Sequence, residues 1–392
     1  MNIGFCSGEY INGVRKLWEY CFADSSEYVD FYFKNKFSPK NTLILEDNGK
    51  ILSSIHMNQH SLSLNFKKFD VSYIVGVSTL PEVRSSGKMK ELIQYSLSNM
   101  YELGQEISIL MPIDFRLYRK YGFENCYDIL LQNLDVDYLR KFKVYGEFKK
   151  AEQAEKLEEI YKYSLSRYNG FAIRDRNYFE LFIEEMKKDG GYIYINFINS
   201  SPEGYIAYSF DGDKMIVREC YYKNIESYKS MLRFIYNHNT QIKKVEIYSP
   251  MNDSLRHMLD NPKDSNFEIK PFMMGRIINF EKLVERLDIV CDENFQSFKI
   301  AVEDKNIEEN NGIFEFYTDL DKVRVRKIGD LYELEDIDIF TINELSSMLF
   351  GYRRVEDIDF MRENKINCII EMREFLESIY DGNVINHINE YV

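Results

Sequence analysis

Tyr73-Ile-Val-Gly-Val-Ser-Thr-Leu-Pro81, followed two residues on by Arg84-Ser-Ser-Gly-Lys-Met89, is the stretch on which the fold turns. The apolar, β-branched run reads as a buried strand that breaks at Pro81. A small-residue turn follows. Met89, Leu92, Ile93, Leu97, Met100 and Leu103 then recur at helical spacing, and Gly104 is the expected stop. A strand feeding a turn at a helix N-terminus makes an anion cradle, because the first N–H groups of a helix have no partner inside it. Arg84, Ser85, Ser86, Gly87 and Lys88 would offer a phosphate backbone N–H groups and two cationic side chains. Gly87, without a Cβ, would let a pyrophosphate approach closely. Taken alone, the same loop also describes an ordinary strand-to-helix turn.

Upstream, residues 9–22 carry Val14, Leu17, Trp18 and Cys21 at helical spacing, and 28–37 read as an aromatic second helix. Residues 42–46, 51–60 and 62–66 read as strands, with Asp47-Asn-Gly-Lys50 and 65–68 as turns. Downstream, 107–111 is a short buried strand, and 116–121 a short helix closed by Gly122. This alternation implies an α/β (α+β) layered unit.

A polar, basic stretch at 142–150 marks a boundary. The pattern then repeats, with helices at 152–168 and 178–187, strands at 191–198, 204–210 and 214–222, a helix at 228–237 and a strand at 244–249. The turn at Arg84–Met89 has no counterpart, so the second unit reads as a degenerate copy without a cofactor. A third unit begins near 279, with a helix at 280–287, strands at 298–303, 312–317 and 322–327, and helical stretches at 338–350, 357–364 and 365–380. Thr341 and Glu344 are spaced for a capping box. The expected divisions are 1–142, 143–279 and 280–392.

A chain of 392 residues is too long for one ordinary core, and 45% hydrophobic with 29% charged residues is the balance of a soluble globular protein. The net charge of −14 disfavours nucleic acid and anionic membrane surfaces. It suits a cationic substrate, and it equally suits plain solubility. Cys6, Cys21, Cys126, Cys220, Cys291 and Cys368 are scattered and form no C-x-x-C pair, so they read as reduced thiols. The start of the chain carries no signal peptide, and no apolar run reaches a membrane span. A cytoplasmic location is the expectation. His56 and His60 are four apart but fall in strand-like sequence without a completing Glu or Cys, so no metal is expected. His238, His257 and His387 are isolated.

The second informative segment is Leu117-Tyr-Arg-Lys-Tyr-Gly-Phe123. With it, the sequence resembles the GNAT N-acetyltransferases. Their motif, Q/R-x-x-G-x-G/A after the fourth strand, is matched by Arg84, Ser85, Ser86, Gly87, Lys88 and Met89. Met89 departs from the small sixth residue, which fits the Eis type (enhanced intracellular survival family). Eis-like proteins have about this length, two GNAT-type domains and a C-terminal domain similar to sterol carrier proteins. Phe272-Met-Met-Gly-Arg-Ile-Ile-Asn-Phe280 looks like the passage into that domain.

The resemblance implies acetyl-CoA as cofactor, held by Ser78, Thr79, Leu80 and the Arg84–Lys88 turn in a splay between the 73–80 and 107–111 strands. It implies direct transfer, with Tyr118 protonating the departing thiolate. A phenol of ordinary pKa is matched to that leaving group. It also implies that the carboxylate of Val392 serves as base. Aminoglycoside-like polyamines or a lysine side chain are the implied acceptors, with Asp24, Glu27 and Glu390 as carboxylates and Phe22 and Tyr28 as aromatic walls. A hexamer of paired trimers is the implied assembly. Two other readings stand beside this one. One is a regulatory protein that binds coenzyme A or a lipid without turnover. The other is a dedicated protein or peptide lysine acetyltransferase.

Overall fold

The computed structural model describes residues 1–84, 86–290, 295–331, 337–380 and 385–391. The first part of the chain runs β1 (Asn2–Phe5), α1 (Ile11–Cys21), α2 (Ser26–Asn35), β2 (Thr42–Asp47), β3 (Lys50–Leu64), β4 (Lys67–Thr79), α3 (Lys88–Glu102), β5 (Ile107–Leu110), α4 (Phe115–Arg119) and β6 (Glu124–Asp135). The second runs β7 (Glu147–Lys150), α5 (Ala154–Leu165), β8 (Phe171–Ala172), α6 (Arg176–Lys188), β9 (Tyr192–Ile198), β10 (Ser201–Asp211), β11 (Lys214–Tyr222), α7 (Ile225–Tyr236), β12 (Lys244–Ser249), α8 (Leu255–Met258) and β13 (Asn266–Ile277). The third runs α9 (Phe280–Leu287), β14 (Phe298–Glu303), β15 (Gly312–Asp319), β16 (Lys322–Gly329), β17 (Ile339–Thr341), α10 (Ile342–Leu349), α11 (Val355–Met361) and α12 (Ile369–Ile379).

Among the described residues, thirteen strands join in one mixed sheet, ordered β1-β2-β3-β4-β5-β13-β6-β12-β11-β10-β9-β7, with β8 paired to β3. The centre of this order is an exchange. β13, late in the chain, lies between β5 and β6; β6, early in the chain, lies between β13 and β12. Neither half closes its sheet with its own strands. A second sheet, β16-β15-β14-β17, belongs to the last part of the chain. Its apolar face shares a core with the first sheet, from Trp18 and Tyr73 through Phe280 and Phe316 to Phe375. The buried Arg276–Asp304 pair, 2.9 Å apart, ties β13 to this third part. It passes beside Gly122, where a Cβ would collide with the Arg276 guanidinium.

Three local expectations need correction. Ile339–Thr341, expected within a helical stretch at 338–350, is strand β17, paired to β14. The stretches 51–60 and 62–66 are one strand, β3. Ser61 is not a break: it pairs with Asp70 of β4, and its hydroxyl donates to that carboxylate at 2.8 Å. The second helix starts at Ser26 rather than 28, because the Ser25 side chain accepts from the Tyr28 N–H and caps it. The capping box of Thr341 and Glu344 is present at the start of α10.

Candidate active site

The site begins where β4 and β5 part. Their parallel register runs Ser72↔Ser108, Tyr73↔Ile109 and Ile74↔Leu110 and then ends. β4 continues to Thr79 against β3 alone, with a bulge between Ser54 and His56 of β3. The edge of β4 that faced β5 is thereby left without a strand partner beyond Ile74 among the described residues. Gly76 sits in this stretch at φ +58, and a Cβ on it would lie 2.3 Å from the Trp18 ring. Only glycine allows both the turn of the strand and the close indole. The Ser78 and Thr79 hydroxyls bond back to Ser54 and Ser53 at 2.9 and 2.8 Å, and the Leu80 N–H donates to Leu52 at 2.9 Å. These three residues therefore frame the opening mainly with backbone.

The turn after β4 leads to Gly87, the N-cap of α3, at φ +85 and with no side-chain cap. Nothing lies within 4 Å of where its Cβ would be. The α3 N-terminus is thus an uncapped, uncovered set of N–H groups with the polarity to hold an anion. Arg84 folds back, donating from Nε to the Thr79 carbonyl at 3.0 Å; Ser86 donates to Val83 at 2.5 Å; Lys88 pairs with Glu91 at 2.9 Å. The two cationic side chains brace the turn rather than reach into it. Ser85 lies outside the described residues.

Tyr118 is on α4, whose N-cap Asp114 accepts from the Arg116 N–H at 2.9 Å. The Tyr118 ring is buried in the core under α3, edge-on to Phe123 at 6.5 Å. Burial pushes its phenol up to about 12. It therefore carries its proton throughout the neutral range.

Residues 385–391 are docked on the rest of the chain. Ile385 and His387 make backbone hydrogen bonds with Asn169, each 3.0 Å. The Tyr391 ring packs 5.3 Å from Phe272 and 5.0 Å from the Arg218 guanidinium. Val392, expected to supply a carboxylate, lies outside the described residues. Glu390 is buried, with its carboxylate 2.8 Å from Arg174 and from the Tyr178 hydroxyl. Burial works against its ionised form, but Arg174 outweighs it and holds the carboxyl below the usual range.

Two clefts flank Glu185 and Tyr391. The first, about 470 Å³, is lined by Asp24, Tyr28, Glu185, Asp189, Arg218, Tyr248 and Tyr391 among others. The second, about 580 Å³, is lined by Lys36, His60, Asp175, Tyr178, Glu185, Glu390 and Tyr391 among others. Asp24 is aimed by the Trp18 indole N–H, which donates to it at 2.8 Å; Trp18 in turn stacks on Tyr32 at 4.4 Å. Glu185 is paired with Lys36 at 2.8 Å and Arg218 at 3.2 Å. Burial alone would raise the Glu185 carboxyl, but Arg218 and Lys36 hold it low. Burial, then Glu185, push the Asp189 carboxyl up. The first cleft thus sets three carboxylates against one guanidinium, with tyrosine walls.

The expected acceptor residues are divided by this geometry. Asp24 and Tyr28 line the first cleft and Glu390 the second, where its carboxylate already holds Arg174. Glu27 is exposed, bonded to Ser26, and lines neither. Phe22 packs against Trp18 at 4.8 Å. Tyr118 lines neither cleft. Asp189, Glu185, Tyr248 and Tyr391 were not singled out from the sequence, since only long-range pairing brings them to Asp24. His56 lies under Trp18, with Nδ1 2.8 Å from the Tyr32 hydroxyl, and burial pushes its ring down to about 3. Among the described residues no three His, Cys, Asp or Glu side chains converge as metal ligands. The five described cysteines are free; Cys291 lies outside the described residues.

Residues 5–126 match an acetyltransferase (GNAT) domain family, and residues 170–277 match a second acetyltransferase (GNAT) domain family. The two matches together span more than half of the chain. The chain belongs to the GNAT acetyltransferases and carries two such domains in tandem. Similar solved structures include a GCN5-related N-acetyltransferase from Anabaena variabilis (TM-score 0.84, 20% identity, 100% of both chains covered). A conserved protein of unknown function from Enterococcus faecalis V583 has a TM-score of 0.86 at 18% identity, covering 100% of this chain and 99% of its own. Eis1 from Mycobacterium abscessus has a TM-score of 0.75 at 14% identity, with 100% of both chains covered. At these identities the likeness is one of fold, and it extends over the third part of the chain. Comparison with curated proteins finds no sequence match. Among the described residues no helix is long and apolar enough to cross a membrane.

Proposed function

We propose that this acetyltransferase is of the Eis type, using acetyl-CoA and transferring acetyl directly to an amine of a polycationic acceptor such as an aminoglycoside. The observation that carries this is the parting of β4 and β5 directly before the uncapped α3 N-terminus. The residues fit such a cofactor: the backbone N–H groups of 87–90 would hold its phosphates, and the free edge of β4 would offer N–H and C=O groups to its arm. When bound, the cofactor supplies an activated acetyl group. Tyr118, still protonated at neutral pH, would be the residue that supplies a proton to the sulfur leaving group. The carboxylate of Val392 takes the proton of the attacking amine, directly or through water.

The acceptor lies in the first cleft. There Asp24 and Asp189 are in no ion pair among the described residues, while Glu185 is balanced by Lys36 and Arg218. Uncompensated carboxylates with aromatic walls suit ammonium groups. Units 1–142, 143–279 and 280–392 are proposed as divisions of role: cofactor binding, support, and a sterol-carrier-like unit that delivers the tail. A cytoplasmic hexamer is part of the same reading.

The test is release of free thiol from acetyl-CoA against aminoglycosides, polyamines and lysine peptides. Turnover with polyamine acceptors is expected. Turnover confined to lysine peptides would reassign the acceptor, and cofactor binding without release from any acceptor would make the chain a binding protein.

A further inference from the structure

We propose that the second GNAT domain is the receptor for the chain's C-terminal tail, and that Arg174 and Tyr178, acting through Glu390, are positioning residues that set where the last residue lies. This rests on the reading above that the terminal carboxylate takes part in transfer.

β11 and β12 repeat the parting seen between β4 and β5. Their parallel register runs from Lys214↔Lys244 to Val217↔Ile247 and then ends. Here the C-terminal segment occupies part of the opening, and the first cleft lies at its mouth. The next residue of β11, Arg218, accepts a hydrogen bond on its carbonyl from the Asn389 side chain at 2.7 Å. The Tyr391 ring stands 5.0 Å from the Arg218 guanidinium and 6.2 Å from Tyr248 of β12, so it lies between the separating strands. Further along β11, the Tyr221 hydroxyl meets His387 Nε2 at 2.9 Å. Beside Cys220 and Tyr222 only about 10 Å³ of free space remains. At that end of the opening there is room for about one water.

Arg174 locks this arrangement. Its guanidinium is 1% exposed and uses all three nitrogens: Nη1 to Glu219 and Nε to Glu390, each 2.8 Å, and Nη2 to the Asn389 carbonyl at 2.7 Å. The remaining carboxylate oxygens are also satisfied, Glu219 by the Tyr205 hydroxyl at 2.7 Å and Glu390 by the Tyr178 hydroxyl at 2.8 Å. The Tyr161 and Tyr178 rings each lie 4.5 Å from the guanidinium. Arg174, Tyr178, Tyr205 and Glu219 belong to the second domain; Glu390 and Asn389 come from the far end of the chain. Buried ion pairs contribute little net stability compared with apolar packing, but they fix register when every donor and acceptor is matched. This register fixes Asn389, Glu390 and Tyr391 against the second domain.

Removing Arg174 would leave two buried carboxylates facing each other and unfold the domain, so the test uses Glu390→Gln and Tyr178→Phe in the full chain. Digestion of the native protein by a carboxypeptidase reads tail release, and acetyl transfer is measured alongside. Both variants are expected to lose C-terminal residues at least about tenfold faster than the parent. Their kcat should fall by at least about tenfold, with the Kd for acetyl-CoA and the thermal midpoint of the main transition held. Digestion at the parental rate in both variants overturns the receptor role. Faster digestion with unchanged kcat, while deletion of Val392 abolishes transfer, overturns the positioning role. If deletion of Val392 also leaves kcat unchanged, the terminal-carboxylate reading fails, and faster digestion then supports the receptor role by itself.

Discussion

Tyr118 illustrates how burial sets a chemical role. A phenol pushed up to about 12 keeps its proton at neutral pH, but it is a weaker acid than the ordinary phenol matched to a thiolate, so donation from Tyr118 is less favourable than expected from the sequence. Tyr118→Phe keeps the ring in its slot against Phe123 and removes the proton, so kcat should fall by about a hundredfold or more while acetyl-CoA still binds. Calorimetry beside steady-state rates would check both halves, and unchanged kcat would remove Tyr118 from the reaction. Asp24 and Asp189 should behave differently. Asp24→Asn keeps an acceptor for the Trp18 indole and loses only charge, as does Asp189→Asn. Each should raise KM for a polyamine by about three- to tenfold with little change in kcat. A drop in kcat at constant KM would instead place these carboxylates in the chemistry. Tyr118 was singled out beside a local signal, the Tyr-Gly-Phe turn, whereas Asp24 was named only through the family resemblance. Asp189 and Tyr248 carry no such signal. They matter only because the second domain brings them opposite Asp24.

At the scale of elements, the strand-turn-helix unit was legible because its cues are local: β-branched residues, Pro81, Gly87 and a helical apolar repeat. The continuity of β3 was hidden, because a Ser that pairs across a hairpin looks like a Ser in a turn until its partner Asp70 is known. Burial of histidines on β3 and the tail has a measurable consequence. His56 and His387 are each pushed by burial to about 3, and His60 is also lowered by burial. Their ordinary value is near 6.5, so the unfolded chain binds protons below pH 6.5 that the folded chain does not. The stability contributed by these neutral rings is therefore fully present above pH 6.5 and is lost as pH falls towards 3. Between pH 6.5 and 5 most carboxylates stay ionised, since they titrate below this window, Asp189 and Glu281, which burial raises, being set apart from them. Each such histidine should remove up to about 1.4 kcal/mol of unfolding free energy per pH unit there. Urea unfolding across that window should show the slope, and His56→Asn should make it shallower. A flat profile in the parent protein would mean that these rings are protonated in the fold.

For the whole molecule, the sequence suggested two successive α/β units, and successive units suggest separable ones. The sheet order says otherwise. β13 supplies the strand between β5 and β6, and β6 supplies the strand beside β12. Such an exchange leaves no trace in periodicity, since a buried central strand reads the same whichever sheet receives it. It has a direct consequence for fragments. Residues 1–142 alone would carry β5 with one edge unpaired where β13 should lie, and β6 with both edges unpaired. The apolar faces of Ile107, Ile109, Ile129 and Leu130, all buried in the intact chain, would lose the partners that cover them. A fragment of this kind is expected to aggregate or remain partly ordered, without a cooperative thermal transition. Adding residues 143–392 during refolding should restore the transition, because both missing strands then become available. Cooperative unfolding of 1–142 by itself, seen by circular dichroism and calorimetry, would show that the first domain can close its sheet without β13. Failure of the mixed fragments to recover it would show that covalent continuity through residues 142–143 is needed for the exchange.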